Sequence, residues 1–321
     1  MKLYIIGNGF DLHHNLDTSY RSFGLFLKYK YPVIYDRLIE YYGFSDLDGY
    51  TQKPTHDALW NEFEESLSLL DPETVFEAHS HSLANPGSSE FRDRDWGTFS
   101  IDMEMVVDSL TTNLFKAFRE FVLAVEYLPL NFDLKLSLDN SAQYFSFNYT
   151  DTLEHYYGIP EENINYIHGK AQTNGDVLIL GHGVEPDNFE NEDPRPPKDL
   201  TSEQMEVWLE QMNDNYDHSF ELGKQELLDY FFRTFKQTKE VILLNSIFYN
   251  KIHNINEVFV LGHSLSEIDM PYFEEIIRVI NSNPIFTVTY YSQAEHDSHK
   301  KTLLNLGIKE KRINLIKMDE L

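Results

Sequence analysis

The feature that most constrains the fold is an apolar strand at the N-terminus that runs directly into a glycine-containing loop. Residues 2–6 are typical of a buried strand, and the loop that follows is Gly7-Asn8-Gly9-Phe10-Asp11. Glycines allow a sharp turn and a close approach to a phosphate, and the next helix would offer free N–H groups. This junction predicts a Rossmann-like α/β fold that holds a nucleotide-like ligand. Because Leu12 replaces the third glycine of the dinucleotide fingerprint, an ordinary strand-to-helix turn is the alternative.

Six further runs are short, apolar and rich in β-branched or aromatic residues. Near-continuous apolar character of this kind indicates strands that are buried on both faces, as in a mostly parallel sheet. The runs cover residues 143–147, 164–167, 177–180, 257–261, 286–291 and 313–317.

Helical spacing fills the stretches between the strand clusters. Apolar residues recur at intervals of three and four within 60–70, 107–125 and 265–279, which predicts three amphipathic helices. We therefore expect a discontinuous Rossmann-like core interrupted by two large helical insertions. The core would comprise residues 1–45, 136–186 and 251–321, and the insertions residues 46–135 and 187–250.

Charge and composition exclude several classes of function. The chain has 26 Lys and Arg against 53 Asp and Glu, a formal net charge of −27, which opposes binding to nucleic acid. A nucleotide pocket is still allowed, because backbone amides can hold phosphates without basic side chains. Cysteine is absent, which excludes disulfides, thiolate zinc sites and cysteine nucleophiles. With no signal-peptide pattern and no apolar run near membrane-spanning length, we expect a cytoplasmic protein that does not bind membranes.

Polar residues follow three of the predicted strands, where ligands bind in open α/β sheets. Asn148 and Asp151 come after the run at 143–147, although Asn148 or Thr150 capping a helix is an equal alternative. His168 precedes a glycine at the end of the next run, a suitable place for general acid–base work, but most single histidines are structural. The run at 257–261 opens into a second glycine junction, which contains Gly262, His263, Ser264 and Asp269.

Metal chemistry is not expected. His79 and His81, and likewise His296 and His299, have ligand-like spacing. Neither pair has an acidic partner near a strand end, so we interpret them as solvated loop or helix-surface residues. The sequence also lacks a serine nucleophile elbow, a Walker lysine motif and a kinase motif set.

Four segments together resemble the AbiH family of phage abortive-infection proteins. They occur in the expected order across nearly the whole chain: residues 6–12 with 18–20, then 147–154, then 167–169, and finally 261–269. That family is in turn similar to the sirtuin-like NAD-binding fold. The resemblance implies that Gly7 and Gly9 match the phosphate loop, Asn148 the asparagine near nicotinamide, and His168 the active-site histidine. Gly262 and Ser264 would lie on the adenosine side.

The chain also departs from the sirtuin pattern. Asn8, Asp11, Asn15 and Asp17 replace the usual Ala, Ser, Gly and Pro, and Thr150 replaces an Asp, although Asp151 is adjacent. The four cysteines that hold zinc in sirtuin deacylases are absent, which disfavours deacylation. The zinc-free, NAD-hydrolysing defence branch is the closer comparison.

The resulting hypothesis is an NAD glycohydrolase that acts during phage infection, with NAD as substrate or ligand. His168 would be the general base, Asn148 would orient the nicotinamide amide or the water, and Asp11 or Asp151 would stabilise positive charge. The alternatives are a nucleotide-binding sensor without turnover and a protein-interaction module. The partners left open are a phage trigger, a protein of the same defence system and a second copy of the chain.

Overall fold

A computed structural model of the chain describes residues 1–48, 58–173, 178–189, 196–198, 200–214 and 217–321, and gives side chains in these ranges except at 211–214. Six strands form one sheet in which every pairing is parallel. The strands are β1 (Lys2–Ile6), β2 (Gln143–Ser146), β3 (Ile164–Tyr166), β4 (Glu257–Leu261), β5 (Ile285–Tyr290) and β6 (Ile313–Lys317).

The strand order confirms the predicted Rossmann-like α/β fold. The order is β3-β2-β1-β4-β5-β6, so the chain reverses direction across the sheet between β1 and β4. Ligands in open parallel sheets bind in the crevice at this reversal, beyond the carboxyl ends of the strands. β1 lies at the centre, where Tyr4 stacks between Tyr144 of β2 and Phe259 of β4.

Fifteen α-helices occur in the described ranges, together with short 3₁₀ turns. The first eight are α1 (Asn8–His13), α2 (Tyr20–Lys30), α3 (Pro32–Tyr42), α4 (Ala58–Asn61), α5 (Phe63–Ser66), α6 (Pro72–Ala78), α7 (Thr98–Asp108) and α8 (Leu114–Leu123). The others are α9 (Thr152–Tyr157), α10 (Ser202–Asp214), α11 (His218–Arg233), α12 (Thr238–Leu244), α13 (Ser246–Lys251), α14 (Met270–Val279) and α15 (Gln293–Asn305).

One large apolar cluster holds the helices together beside the sheet. It contains buried residues from α2, α3, α5, α7, α8 and α11, and we call this assembly the helical body. The amphipathic helix predicted at 107–125 crosses this body as the end of α7, a π-helical turn at Ser109–Asn113, and α8. Separate apolar clusters cover the two faces of the sheet, and α12 and α13 pack there rather than in the helical body.

Two local predictions were wrong. Residues 178–180 of the run predicted as a strand at 177–180 form no strand, and Val177 lies outside the described residues. Instead, the amide of Ile179 donates to the carbonyl oxygen of His168 at 2.9 Å, and its own carbonyl accepts from the Tyr149 hydroxyl at 2.7 Å. Short apolar runs do not distinguish a strand from an anchored loop by periodicity alone.

The helix predicted directly after β4 begins later than expected. Gly262 and Leu265 have φ angles of +66° and +56°, left-handed values that are incompatible with a continuing helix. A 3₁₀ turn at Glu267–Asp269 follows, and α14 starts only at Met270. This delay creates a loop of several residues above β4 and brings Asp269 over the end of the sheet.

Candidate functional site

A cleft of about 1440 Å³ opens at the carboxyl ends of β1 and β4, where the strand order reverses. Its floor consists of the two glycine-containing loops and a set of buried acids and histidines. Its walls come from the helical body on one side and from α15 with the ends of β5 and β6 on the other. The floor and nearby side chains include Gly7, Asn8, Gly9, Asp11, Glu64, Asn148, His168, Gly262, His263, Ser264 and Asp269.

The glycines serve first to bring the two loops into contact. A Cβ on Gly7 would lie 2.6 Å from the His263 Cα, and one on Gly9 would lie 2.8 Å from the Gly262 Cα. The Gly9 amide donates to the Gly262 carbonyl oxygen at 2.7 Å, so this N–H is already engaged within the protein. Close backbone contact between β1 and β4 thus explains the glycines without reference to a phosphate.

Two other residues of the first loop have structural partners. The Asn8 side chain exchanges hydrogen bonds with Thr18, donating to its carbonyl oxygen at 3.1 Å and accepting from its hydroxyl at 2.7 Å. Phe10 is fully buried and packs against His14 and Tyr157 in the core beneath the sheet. Asn8 therefore lines the cleft with a side chain that Thr18 holds in place, whereas Phe10 lies outside the cleft.

Asp11 is the acidic residue of the first loop and faces the cleft from a buried position. One carboxylate oxygen accepts from the Thr150 hydroxyl at 2.6 Å, and the other, Oδ1, has no hydrogen-bond partner among the described residues. Burial raises the pKa of Asp11 to about 6, although the Thr150 hydroxyl and the nearby polar side chains of Thr152 and Asn148 oppose the rise. Asp11 can therefore exchange a proton near neutral pH, which suits general acid–base work.

Asn148 lies at the end of β2 with only 6% of its surface exposed, and it lines the cleft. Neither its side-chain oxygen nor its side-chain nitrogen has a partner at bonding distance in the described part of the chain. Buried amides are normally hydrogen-bonded, so an unpaired donor and acceptor at one position call for a ligand or ordered water. The capping alternative is not observed for Asn148, since Asp151 occupies the N-cap position of α9.

Asp151 is placed differently from the other predicted catalytic residues. It is exposed at the start of α9 and accepts a hydrogen bond from the Tyr127 hydroxyl at 2.6 Å. The chain leaves the sheet edge immediately after Thr150, which directs Asp151 towards the surface and away from the cleft. Of the two candidate acids, the structure brings only Asp11 to the site.

His168 and His263 flank Asp269 on the cleft floor. The His168 Nε2 atom lies 3.7 Å from Asp269 Oδ1, and the His263 Nε2 atom lies 3.4 Å from Asp269 Oδ2. The Leu265 amide donates to His263 Nδ1 at 2.9 Å, which places the proton of neutral His263 on Nε2, facing Asp269. Burial, reinforced by Lys236, lowers the pKa of His168 well below its ordinary value, so this ring is neutral at physiological pH.

Sequence reasoning missed Glu64 and Lys236, which complete this group. Lys236 follows α11, is 2% exposed, and pairs through Nζ with Glu64 Oε2 at 2.6 Å and with Asp269 Oδ1 at 3.5 Å. Glu64 also accepts hydrogen bonds from the hydroxyls of Tyr20 and Tyr149. Both charged residues come from stretches that we interpreted as helical insertions, and no local motif distinguishes them from surface charges.

His299 also differs from the sequence-based interpretation. We expected a solvated helix surface, but His299 is 2% exposed on α15 and faces the cleft. It is buried because α15 lies against β5 and β6, so the face that carries His299 points towards the sheet. Within the described ranges, no group of three or more His, Asp or Glu side chains is arranged to hold a metal ion.

The two ends of the cleft differ in character. Phe118, Phe121 and Val122 of α8 form an apolar wall beside the first loop. At the opposite end, exposed Lys301 and Lys317 lie near the carboxyl ends of β5 and β6, together with the exposed acids Glu295 and Asp319. A cleft with an apolar end, an acidic floor and a charged rim can accommodate an elongated ligand of mixed character.

The fold and the cleft define an α/β protein with a ligand-sized crevice at the reversal point of a Rossmann-like sheet. Residues 3–291 match the family model described as "Bacteriophage abortive infection AbiH". The chain therefore belongs to the AbiH family, as the sequence resemblance predicted, and this membership supports a role in abortive infection against phage. No curated protein and no solved structure matches the chain. Among the described residues, no helix is both long and apolar enough to cross a membrane.

Proposed function

We propose that this AbiH protein hydrolyses NAD to nicotinamide and ADP-ribose in the cleft between β1 and β4. The observation that carries the proposal is the buried Asn148 amide, whose donor and acceptor both lack partners among the described residues and line the cleft. A carboxamide such as that of nicotinamide offers one acceptor and two donors, the complement of such a group. Asp11 and His168, which can exchange protons, line the same cleft.

The character of the cleft supports one orientation of the dinucleotide. The positively charged nicotinamide ring would lie over the acidic floor, beside the apolar wall of α8. The phosphates would extend along the cleft towards Lys301 and Lys317, away from the carboxylates of Asp11 and Glu64. This placement agrees with the engaged amide of Gly9, which leaves the first loop with less capacity for a phosphate than its sequence predicts.

The proposed reaction uses the floor residues in sequence. The bond between C1 of the ribose and the nicotinamide nitrogen breaks, its electron pair leaves with neutral nicotinamide, and the ribose becomes an oxocarbenium-like cation. Nearby carboxylates stabilise such a cation, and Asp11 has an oxygen free to do so. A water then attacks C1, and neutral His168 accepts its proton. The products are nicotinamide, ADP-ribose and one proton.

Incubation of the purified protein with NAD, followed by chromatography for nicotinamide, tests the proposal. His168→Ala should reduce release by about 10²–10⁴-fold, the usual contribution of a general acid–base group. Asn148→Ala should reduce it by roughly 10²-fold, because the substrate would no longer be held in position. His155→Ala is the control, because His155 is exposed on α9 outside the cleft. Full activity in His168→Ala would contradict the assignment of the base.

A second function is favoured by the way the helical body forms the cleft. Glu64 of α5 and Phe118 of α8 line the cleft, so an occupant would contact the helical body directly. In this alternative the protein is a sensor that binds a nucleotide without turnover. Ligand binding would then change the position of the helical body. A rise in melting temperature with NAD, together with no product from either NAD or NADP, would favour the sensor.

A further inference from the structure

Lys236 is a buried cation that the reaction proposed above does not use. Its ammonium group is nearly inaccessible to solvent and lies between two carboxylates, Glu64 at 2.6 Å and Asp269 at 3.5 Å. Lys236 is not among the described residues that line the cleft, so it supports the floor from behind. Burying a lysine is costly unless its charge is compensated, and a position of this kind calls for an explanation.

The surroundings of His168 show what the cation can act on. Asp269 lies 3.7 Å from the His168 Nε2 atom, and His263 approaches the same carboxylate from the other side. The rings of Tyr149 and Tyr272 pack at centroid distances of 6.0 and 5.6 Å. Glu64 reaches this group through Lys236 and through the Tyr149 hydroxyl, which donates to it at 3.3 Å. Of these neighbours, Asp269 favours a protonated His168, while the charge of Lys236 opposes it.

Without Lys236, the carboxylates of Asp269 and Glu64 would lose the cation that lies between them. Although burial opposes ionisation of Asp269, Lys236 and His263 hold the pKa of this carboxyl well below its ordinary value. Asp269 is therefore a fixed negative charge beside His168. A charged acid next to a histidine ordinarily promotes protonation of the ring. A ring that is already protonated cannot accept a proton from water.

We propose that Lys236 is a positioning residue that cancels the charge of Asp269 and so keeps His168 unprotonated and ready to accept a proton. The role of His168 in proton transfer rests on the proposed function, but the effect of Lys236 on its protonation does not. The positive charge beside Asp269 thus comes from Lys236, in the segment that follows α11.

Nuclear magnetic resonance of histidine-labelled protein tests the proposal directly. In the wild type, the His168 ring should stay unprotonated as the pH falls from about 8 to about 5.5. In Lys236→Met, its titration should move upward by about one pH unit or more, the effect expected of one nearby charge. Lys236→Arg keeps the charge and should titrate like the wild type. An unchanged His168 titration in folded Lys236→Met would overturn the proposal, as would equal upward movement in both variants.

A second variant guards against misfolding of Lys236→Met. The double change Glu64→Gln with Lys236→Gln removes one charge of each sign, which avoids an uncompensated buried carboxylate at position 64. It should still raise the His168 titration, because the opposing cation is gone; no rise would count against the proposal. Nicotinamide release is measured in parallel, and the acidic limb of its pH profile should move with the titration. Absence of release in the wild type would refute the proposed function while the resonance data still decide the role of Lys236.

Discussion

The amide of Gly9 donates a 2.7 Å hydrogen bond to the carbonyl oxygen of Gly262, which joins the loop after β1 to the loop after β4. The two residues are far apart in sequence, yet their backbones touch at the reversal point of the sheet. This bond connects the two halves of the candidate site. Several expectations about stability and activity depend on it and on the acids beside it.

Gly262→Ala should destabilise the fold much more than Gly43→Ala. Both glycines have left-handed φ angles, +66° and +73°, but a Cβ at position 43 meets nothing within 4 Å, whereas one at 262 would lie 2.1 Å from the Phe10 amide nitrogen. Gly43→Ala should cost about 1–2 kcal/mol in the free energy of unfolding. Gly262→Ala should cost about 3 kcal/mol or more, because the clash adds to the strain. Urea unfolding measures both changes in the free energy of unfolding. Equal losses would contradict the close contact between the loops that follow β1 and β4.

Asp11→Asn should change how stability depends on pH. The folded-state pKa of Asp11 is raised from 3.8 to about 6, so its contribution to stability is full below the unfolded value and is lost as pH rises through about 6. The wild type should therefore lose on the order of 3 kcal/mol relative to Asp11→Asn between these values. The lowered pKa of His168 acts in the opposite direction, but it is common to both proteins. Parallel curves of melting temperature against pH would show that Asp11 is not perturbed.

Asp11→Asn and Asp151→Asn form a matched pair for activity. Asp11 faces the cleft with a free carboxylate oxygen, whereas Asp151 is exposed and bonded to Tyr127. Asp11→Asn should lower nicotinamide release by about 10²-fold or more, because a neutral amide neither stabilises a cation nor transfers a proton. Asp151→Asn should retain activity within about twofold, comparable to the small effect of an exposed charge. A large loss in Asp151→Asn alone would reverse the assignment of the acid.

Charge reversal at the two rim lysines should weaken substrate binding rather than chemistry. Lys301→Glu combined with Lys317→Glu should raise KM for NAD by roughly tenfold at low salt while leaving kcat nearly unchanged. Lys309→Glu is the control, since this exposed lysine is not part of the cleft. The difference between the variants should shrink as ionic strength increases. A fall in kcat without a change in KM would place the phosphates elsewhere.

The sheet was largely predictable because its strands carry a strong local signal. Six of the seven predicted runs form strands, and the residues that follow β2, β3 and β4 meet at one edge, as parallel topology requires. This is why Asn148, His168 and His263 could be identified before the structure was known. The exception at 177–180 is an apolar segment whose described residues are held by His168 and Tyr149 instead of a neighbouring strand.

The charges behind the site were not predictable, because they depend on packing between distant segments. Glu64 belongs to a four-residue helix and Lys236 follows the end of another, and neither position has a pattern of its own. Asp11 was identified, but its perturbed pKa depends on burial beneath Thr150 and beside Asn148. Asp151 is adjacent to Thr150 in sequence, yet it is exposed and lies outside the cleft, because adjacent residues at the end of a strand need not face the same way.

The central position of β1 has a consequence for synthesis of the protein on the ribosome. β1 is synthesised before both of the strands that it pairs with, β2 and β4, whose residues begin at Gln143 and Glu257. Long-range pairings of this kind form late, and an unpaired apolar strand is a target for chaperones in the meantime. A nascent chain that stops before β4 also lacks Gly262, His263 and Asp269. The cleft can therefore form only after β4 and the loop that follows it have been synthesised.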